Sequence, residues 1–149
     1  YVLNLGAPSP FADRYSWVPY HRMDVDKIRA AAQVLVGTHD YSSFVVERSM
    51  IDEAVRTIYR IDVETIGQFW CCTFVGNGFL YKMIRCLMGT LEAAGSGKLN
   101  PEAVRRILEA RDRTQAPETA PPQGLFLMKV FYTPEERAAF RLEGLPFCF

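Results

Sequence analysis

Two stretches of this 149-residue chain carry side chains whose types and spacing could do chemistry. The first runs from Asn77 to Gly97. Phe79, Met83, Leu87, Leu91 and Ala94 recur at helical spacing, with Leu80 and Ile84 beside them. With residues set about 100° apart, Arg85 falls almost opposite that apolar stripe, and Tyr81, Lys82 and Gly89 lie around it. A planar arginine fork there suits a carboxylate or phosphate partner; a plain solvated face of Arg85 and Lys82 is the alternative. Gly89 lies one turn beyond Arg85 and costs a helix about 1 kcal/mol relative to alanine, which points to something approaching the helix closely. The second stretch sets His39-Asp40 beside Ser42 and Ser43. Those are the residue types of a hydrolase, but no glycine-flanked nucleophile elbow accompanies them, and adjacency in sequence is not triad geometry. We read residues 38–44 as a polar turn with Tyr41 and Phe44 docked on the core.

The elements that must position these residues follow from periodicity and punctuation. Tyr1 to Asn4 reads as the end of a strand, and the two prolines of residues 6–11 make a loop. Tyr15 to Tyr20 is a short strand-like piece that Pro19 places at an edge. Asp24 caps a helix whose apolar face is Val25, Ile28, Ala31, Ala32 and Leu35, closed by Gly37. Residues 47–54 read as loop. Residues 56–64 alternate as a half-exposed strand, with Thr57, Tyr59, Ile61 and Val63 on one side. A turn at residues 66–68 leads into a more buried strand, Phe69 to Val75, so an antiparallel hairpin is expected. The hairpin delivers the chain through the Asn77-Gly78 turn into a helix expected from Phe79 to Ala94 and stopped by Gly95 and Gly97.

Asn100, Pro101 and Glu102 open another helix with Val104, Ile107 and Leu108 inward. Leu125 to Tyr132 alternates as a third clear strand, and residues 134–140 read as a short helix. The tail, Leu-Pro-Phe-Cys-Phe149, is apolar enough to pack on something. The sum is one α+β domain over residues 1–149: an antiparallel or mixed sheet with two or three helices packed on it.

Composition narrows the class further. Half the residues are hydrophobic, which is globular rather than disordered. No run is long and apolar enough for a transmembrane helix, and no charged-then-apolar leader opens the chain. The chain starts on Tyr-Val-Leu-Asn rather than Met, so a longer parent is expected. Cys71, Cys72, Cys86 and Cys148 form no Cys-x-x-Cys pair, and His21 and His39 show no ligand spacing. Reduced thiols in a cytoplasmic protein are expected, with no metal. Net charge is zero, yet residues 77–113 carry 7 Lys/Arg against 4 Asp/Glu, a net of +3. That is a modest basic region within a neutral chain. Periodicity and composition do not name a reaction.

Five motifs in order do suggest a family: Gly37-Thr-His-Asp-Tyr-Ser-Ser-Phe44, Val55-Arg-Thr-Ile58, Gly76-Asn-Gly-Phe-Leu-Tyr-Lys-Met-Ile-Arg-Cys-Leu-Met-Gly-Thr90, Ala110-Arg-Asp-Arg113 and Thr119-Ala-Pro-Pro-Gln-Gly-Leu125. Together they resemble the C-terminal half of the TruA-type tRNA pseudouridine synthases, over about residues 1–132. The resemblance implies a pseudouridine-synthase-like fold. It also implies isomerisation of uridine in the tRNA anticodon arm without cofactor or metal, and a homodimer with a basic cleft.

In that family the catalytic aspartate lies in a Gly-Arg-Thr-Asp-Ala-Gly motif of the N-terminal half. This chain has no such motif; Asp40, Asp62 and Asp112 stand in other contexts. The expectation is an incomplete enzyme, inactive alone. A non-catalytic RNA-binding or dimerisation module is the alternative. By the resemblance, Arg85 matches the arginine that partners the aspartate. Tyr1 matches a tyrosine of the Arg-Tyr-x-Tyr strand, one of which stacks on the target base; a plain core tyrosine is the other reading. Lys82, Arg56, Arg111, Arg113 and Asn77 are candidate RNA contacts, with surface roles as the alternative.

Overall fold

The computed structural model describes residues 1–47 and 52–147. Four strands, β1 (Val2–Asn4), β2 (Gly37–Asp40), β3 (Val55–Ile66) and β4 (Phe69–Gly76), form one sheet in the order β1-β4-β3-β2, every pair antiparallel. Helices α1 (Val25–Leu35), α2 (Met83–Gly95) and α3 (Pro101–Ala110) share a core on one face of that sheet, and a short α4 (Pro134–Ala139) follows. The α+β expectation holds. Of the loop expected at residues 47–54, residues 48–51 lie outside the described residues, as does Cys148.

Local chemistry explains the helices. The Asp24 carboxylate caps α1 by accepting from the amides of Asp26 (2.9 Å) and Lys27 (3.4 Å). Ile28, Ala31, Ala32 and Leu35 are buried from it. Asn100 Oδ1 accepts from the Ala103 amide (2.8 Å) and Pro101 starts α3, which buries Val104, Ile107 and Leu108. The β3–β4 hairpin closes through Gly67, whose φ of 59° suits a two-residue turn.

Four expectations need correction. Helix α2 begins at Met83, not Phe79, because Lys82 adopts the left-handed conformation (φ 57°) and breaks the helical path; Phe79 is left exposed instead of joining the core, and Tyr81 is exposed as its place outside the apolar stripe implies. Residues 37–40 are the edge strand β2 rather than a turn, joined to β3 through backbone pairing and a Thr38–Thr57 hydroxyl bond of 2.8 Å. Tyr41 and Phe44 are nevertheless fully buried. A bulge between Ile58 and Arg60 shifts the face of β3. Ile58 is therefore buried alongside Ile61 and Val63, while Tyr59 is exposed beneath the Arg137 guanidinium, 3.7 Å from its ring centre.

The fourth correction concerns Leu125–Tyr132, which forms no strand. A strand needs a free edge. The outer edge of β1 is occupied by Trp17, whose amide donates to Val2 (3.0 Å) and whose carbonyl accepts from Asn4 (2.8 Å). That bridge is all the pairing shown by the strand-like piece at residues 15–20. Residues 125–131 instead lie over the second sheet face, where Val2, Cys71 and Val75 point. With Phe140 and Leu142 they enclose a largely apolar cavity of about 420 Å³. Arg60 ties this cover down: its Nε donates to Asp62 (2.8 Å) and its Nη groups donate to the carbonyls of Arg137 (3.3 Å) and Phe140. The tail packs as expected, with Phe147 against Tyr15, Phe69 and Phe126.

Cys71, Cys72 and Cys86 are free, buried thiols. Burial pushes the Cys72 thiol from its ordinary 9.0 up to about 11. A group raised in the folded state contributes stability that is complete below its unfolded value and is lost as pH climbs to the folded one. Urea unfolding is therefore expected to lose stability between pH 9 and about 11, at up to about 1.4 kcal/mol per pH unit from this group. Cys72→Ala should flatten that slope. An equally steep slope in the variant would assign the loss to other groups.

Candidate active site

Helix α2 is buried on nearly every side; of its two charged side chains, Glu92 lies almost buried beside His21 (3.6 Å) and Arg85 is half-buried. The reason lies at Gly89. A Cβ there would sit 1.9 Å from the Glu118 carbonyl oxygen, so the absent side chain is what lets the segment 118–121 run against the helix. The close approach read from the sequence is thus made by the chain's own backbone.

That segment holds Arg85 from two directions. The Ala120 amide donates to the Arg85 carbonyl (3.0 Å), and the Arg85 Nε donates to the Ala120 carbonyl (2.7 Å). Among the described residues the two Nη groups have no acceptor, and no carboxylate pairs with Arg85. The guanidinium is aimed by its inner nitrogen, and its outer fork has the planar two-donor geometry that can grip a carboxylate or phosphate.

Tyr1 joins the same segment. Its hydroxyl donates to the Pro121 carbonyl (2.5 Å), its ring meets Trp17 edge-on, and Gly124 packs beneath it. The side chain is buried. Burial holds the phenol well above the ordinary tyrosine range, with the Arg85 charge pulling the other way, so at neutral pH the hydroxyl is a donor. Arg113 also turns inward: Nη1 donates to the Ala116 carbonyl (3.1 Å) and Nη2 to the Thr119 hydroxyl (3.0 Å).

A family model described as tRNA pseudouridine synthase matches residues 31–133. This chain belongs to the tRNA pseudouridine synthase family. Relatives named tRNA pseudouridine synthase A include one from Exiguobacterium sibiricum, 47% identical over 120 residues (80% of this chain, 47% of the relative). Another, from Bacillus subtilis, is 41% identical over 125 residues (84% and 51%), and one from Thermoanaerobacter sp. is 38% identical over 131 residues (88% and 54%). The chain spans about half the length of the curated relatives it matches.

In this member of the pseudouridine synthase family, the other candidate residues divide between structure and surface. Asn77 continues the β3 ladder, its Oδ1 accepting from the Thr57 amide (2.9 Å). Arg56 donates to the carbonyls of Glu53 (3.3 Å) and Val55 (2.7 Å) and remains solvent-accessible. The Lys82 ammonium lies 5.0 Å from the centre of the exposed Tyr81 ring. Arg111, at the α3 terminus, is largely exposed and 3.7 Å from Asp40. The two serines are structural. Ser42 bonds Asp40, and Ser43 donates to the Ile107 carbonyl (2.6 Å) while accepting from the Asp112 amide (2.9 Å). His39 bonds the Val36 carbonyl (3.0 Å). Among the described residues no group of His, Cys, Asp and Glu is placed to hold a metal. Residues 118–121 are the part of the site to which the sequence assigned no role beyond a family motif from Thr119 on, since all but the Thr119 hydroxyl act through backbone atoms; Gly89 was the signal for them.

Helix propensity and packing predict opposite signs for Gly89→Ala. Propensity alone would stabilise α2 by about 1 kcal/mol, whereas a Cβ against an immobile carbonyl should destabilise by about 1–3 kcal/mol or more. The steric term wins if Glu118 sits as described. The expected result is a lower urea midpoint with an unchanged slope, and a raised midpoint would mean that segment 118–121 does not rest on the helix.

Proposed function

We propose that this chain is the C-terminal half of an enzyme that isomerises uridine to pseudouridine in the anticodon arm of tRNA. In this reading it contributes Arg85 and part of the cleft, while the remainder of the parent supplies the aspartate nucleophile. The observation that carries the proposal is the Arg85 guanidinium, clipped through Nε with its Nη fork open. Such a fork keeps a neighbouring carboxylate ionised and fixes its direction. The names of the relatives support the same reading.

The RNA would approach beside Phe79 and Tyr81, exposed rings flanked by Arg56 and Lys82. Cations interleaved with aromatic faces suit unstacked bases and their phosphates, and chemistry on a base requires taking it out of the stack. The parent would work as a homodimer in the cytoplasm; buried free thiols at Cys71, Cys72 and Cys86 accord with a reducing compartment. No helix among the described residues is long and apolar enough to cross a membrane.

Pseudouridine formation on an anticodon-arm substrate tests the proposal, with this chain, the full-length parent and the parent carrying Arg85→Ala run side by side. The parent should turn over, and the chain alone should be inactive. Arg85→Ala should lose about a hundredfold or more in kcat, the scale seen when one preorganised partner is removed. Wild-type turnover by Arg85→Ala would reject the role of Arg85. An inactive parent would favour the non-catalytic RNA-binding module.

The second sheet face generates another expectation. Leu127 is 85% exposed and Tyr132 88%, with Met128 and Val130 also open, on a segment with strand alternation and no strand partner. We propose the rest of the parent as the occupant of this face, consistent with the half-length coverage of the relatives. The isolated chain should therefore self-associate in sedimentation velocity as concentration rises. A concentration-independent monomer would count against an open apolar surface on this covering segment.

A further inference from the structure

We infer that Arg113 is a positioning residue for Arg85, acting through residues 119–120 rather than by touching RNA. The inference rests on the reading of Arg85 given above. It also departs from the family resemblance, under which Arg113 was a candidate phosphate contact.

The argument is one of connectivity. Arg113 begins a single 3-10 turn, Arg113–Gln115, capped by Asp112, whose Oδ1 accepts from the Thr114 amide (2.9 Å) and hydroxyl (2.8 Å). From that anchored turn the Arg113 guanidinium reaches the Ala116 carbonyl and the Thr119 hydroxyl with separate nitrogens. It therefore ties the Ala116 and Thr119 ends of the irregular segment 116–119 together. Its Nε is buried without a hydrogen-bond partner and the residue as a whole is half-buried, so the inner edge of the head faces protein and both outer nitrogens are engaged by Ala116 and Thr119. The Thr119 hydroxyl also lies 3.5 Å from the Cys86 sulfur on α2.

Thr119, Ala120 and Pro121 are consecutive, and each holds a different site side chain: Arg113, Arg85 and Tyr1. Planar peptide units of fixed length join them. A shift of Thr119 must therefore move the Ala120 carbonyl that aims Arg85. Lysine cannot replace the staple, because one ammonium nitrogen does not supply two separated donors in a fixed plane.

The test uses the full-length parent with tRNA as substrate. Variants are Arg113→Ala, Arg113→Lys, Thr119→Val, Arg85→Ala and the Arg85→Ala/Arg113→Ala double. A positioning role predicts a kcat loss of about ten- to a hundredfold in both Arg113 variants and in Thr119→Val, as small misplacements of a catalytic group produce. KM for tRNA and its salt dependence should stay at wild-type values. Lysine should not rescue. The double variant should be no slower than Arg85→Ala alone, since both act at one point. A phosphate contact predicts the reverse: raised KM, retained kcat, rescue by lysine and a salt slope reduced by about one. That pattern would overturn the inference.

Thr119→Val keeps the side-chain shape and removes only the hydroxyl that accepts from Arg113, so it decides the matter should Arg113→Ala fail to fold. Full turnover in Arg85→Ala would remove the underlying reading. A dead Arg85→Ala with near-wild-type Arg113→Lys and Thr119→Val would remove this inference alone.

Discussion

The site depends on the missing side chain at Gly89. Helix α2 is enclosed by the sheet and by α1 and α3, and the remaining side could have been closed by side chains or by solvent. It is closed by the backbone of residues 118–120, at a separation that no Cβ permits. Backbone packed on backbone fixes position more tightly than side-chain packing does, because peptide units have no rotamers to exchange. Everything that aims Arg85 descends from that contact: the Ala120 amide and carbonyl, the Thr119 hydroxyl and the Pro121 carbonyl beside Tyr1.

This arrangement also accounts for the basic segment. Residues 77–113 hold an excess of cations in a neutral chain, and that excess alone would suggest a uniform RNA-binding stripe. The structure divides it. Arg85 and Arg113 turn inward onto carbonyls and a hydroxyl, whereas Arg105, Arg106 and much of Arg111 face water. Charge counts therefore overstate the surface available to phosphates. Guanidinium groups serve internally here because each offers several donors in a fixed plane and can satisfy carbonyls left without a partner by irregular backbone.

The helices and the hairpin were legible because their signals are local. Asp24 and Asn100 cap the helices they precede, and Gly67 turns the chain between β3 and β4. The errors arose where a distant contact decided the outcome. Lys82 enters the left-handed region and shortens α2, although nothing in its own identity favours that conformation. The bulge near Tyr59 exchanges faces on β3, and a one-residue slip is enough to reverse an alternation read from sequence. Arg85 stood out as the lone arginine on the non-core face. Its holders did not, because a carbonyl oxygen carries no residue type.

The same reasoning bears on Leu125–Tyr132. Its alternation is as regular as that of β3, yet it forms no strand. Alternation records that two faces of a segment meet different surroundings; it does not supply a ladder partner. Within this chain the outer edge of β1 is taken by Trp17, and the segment settles across the second sheet face around a cavity of about 420 Å³. A cover this loose contrasts with the core between the sheet and helices α1 to α3, where Leu35, Phe44, Met83 and Leu91 are wholly buried. Close packing is the usual state of a protein interior. The two faces of one sheet are therefore packed differently: the helix side is close-packed, and the side carrying the alternating segment keeps a cavity beneath its cover.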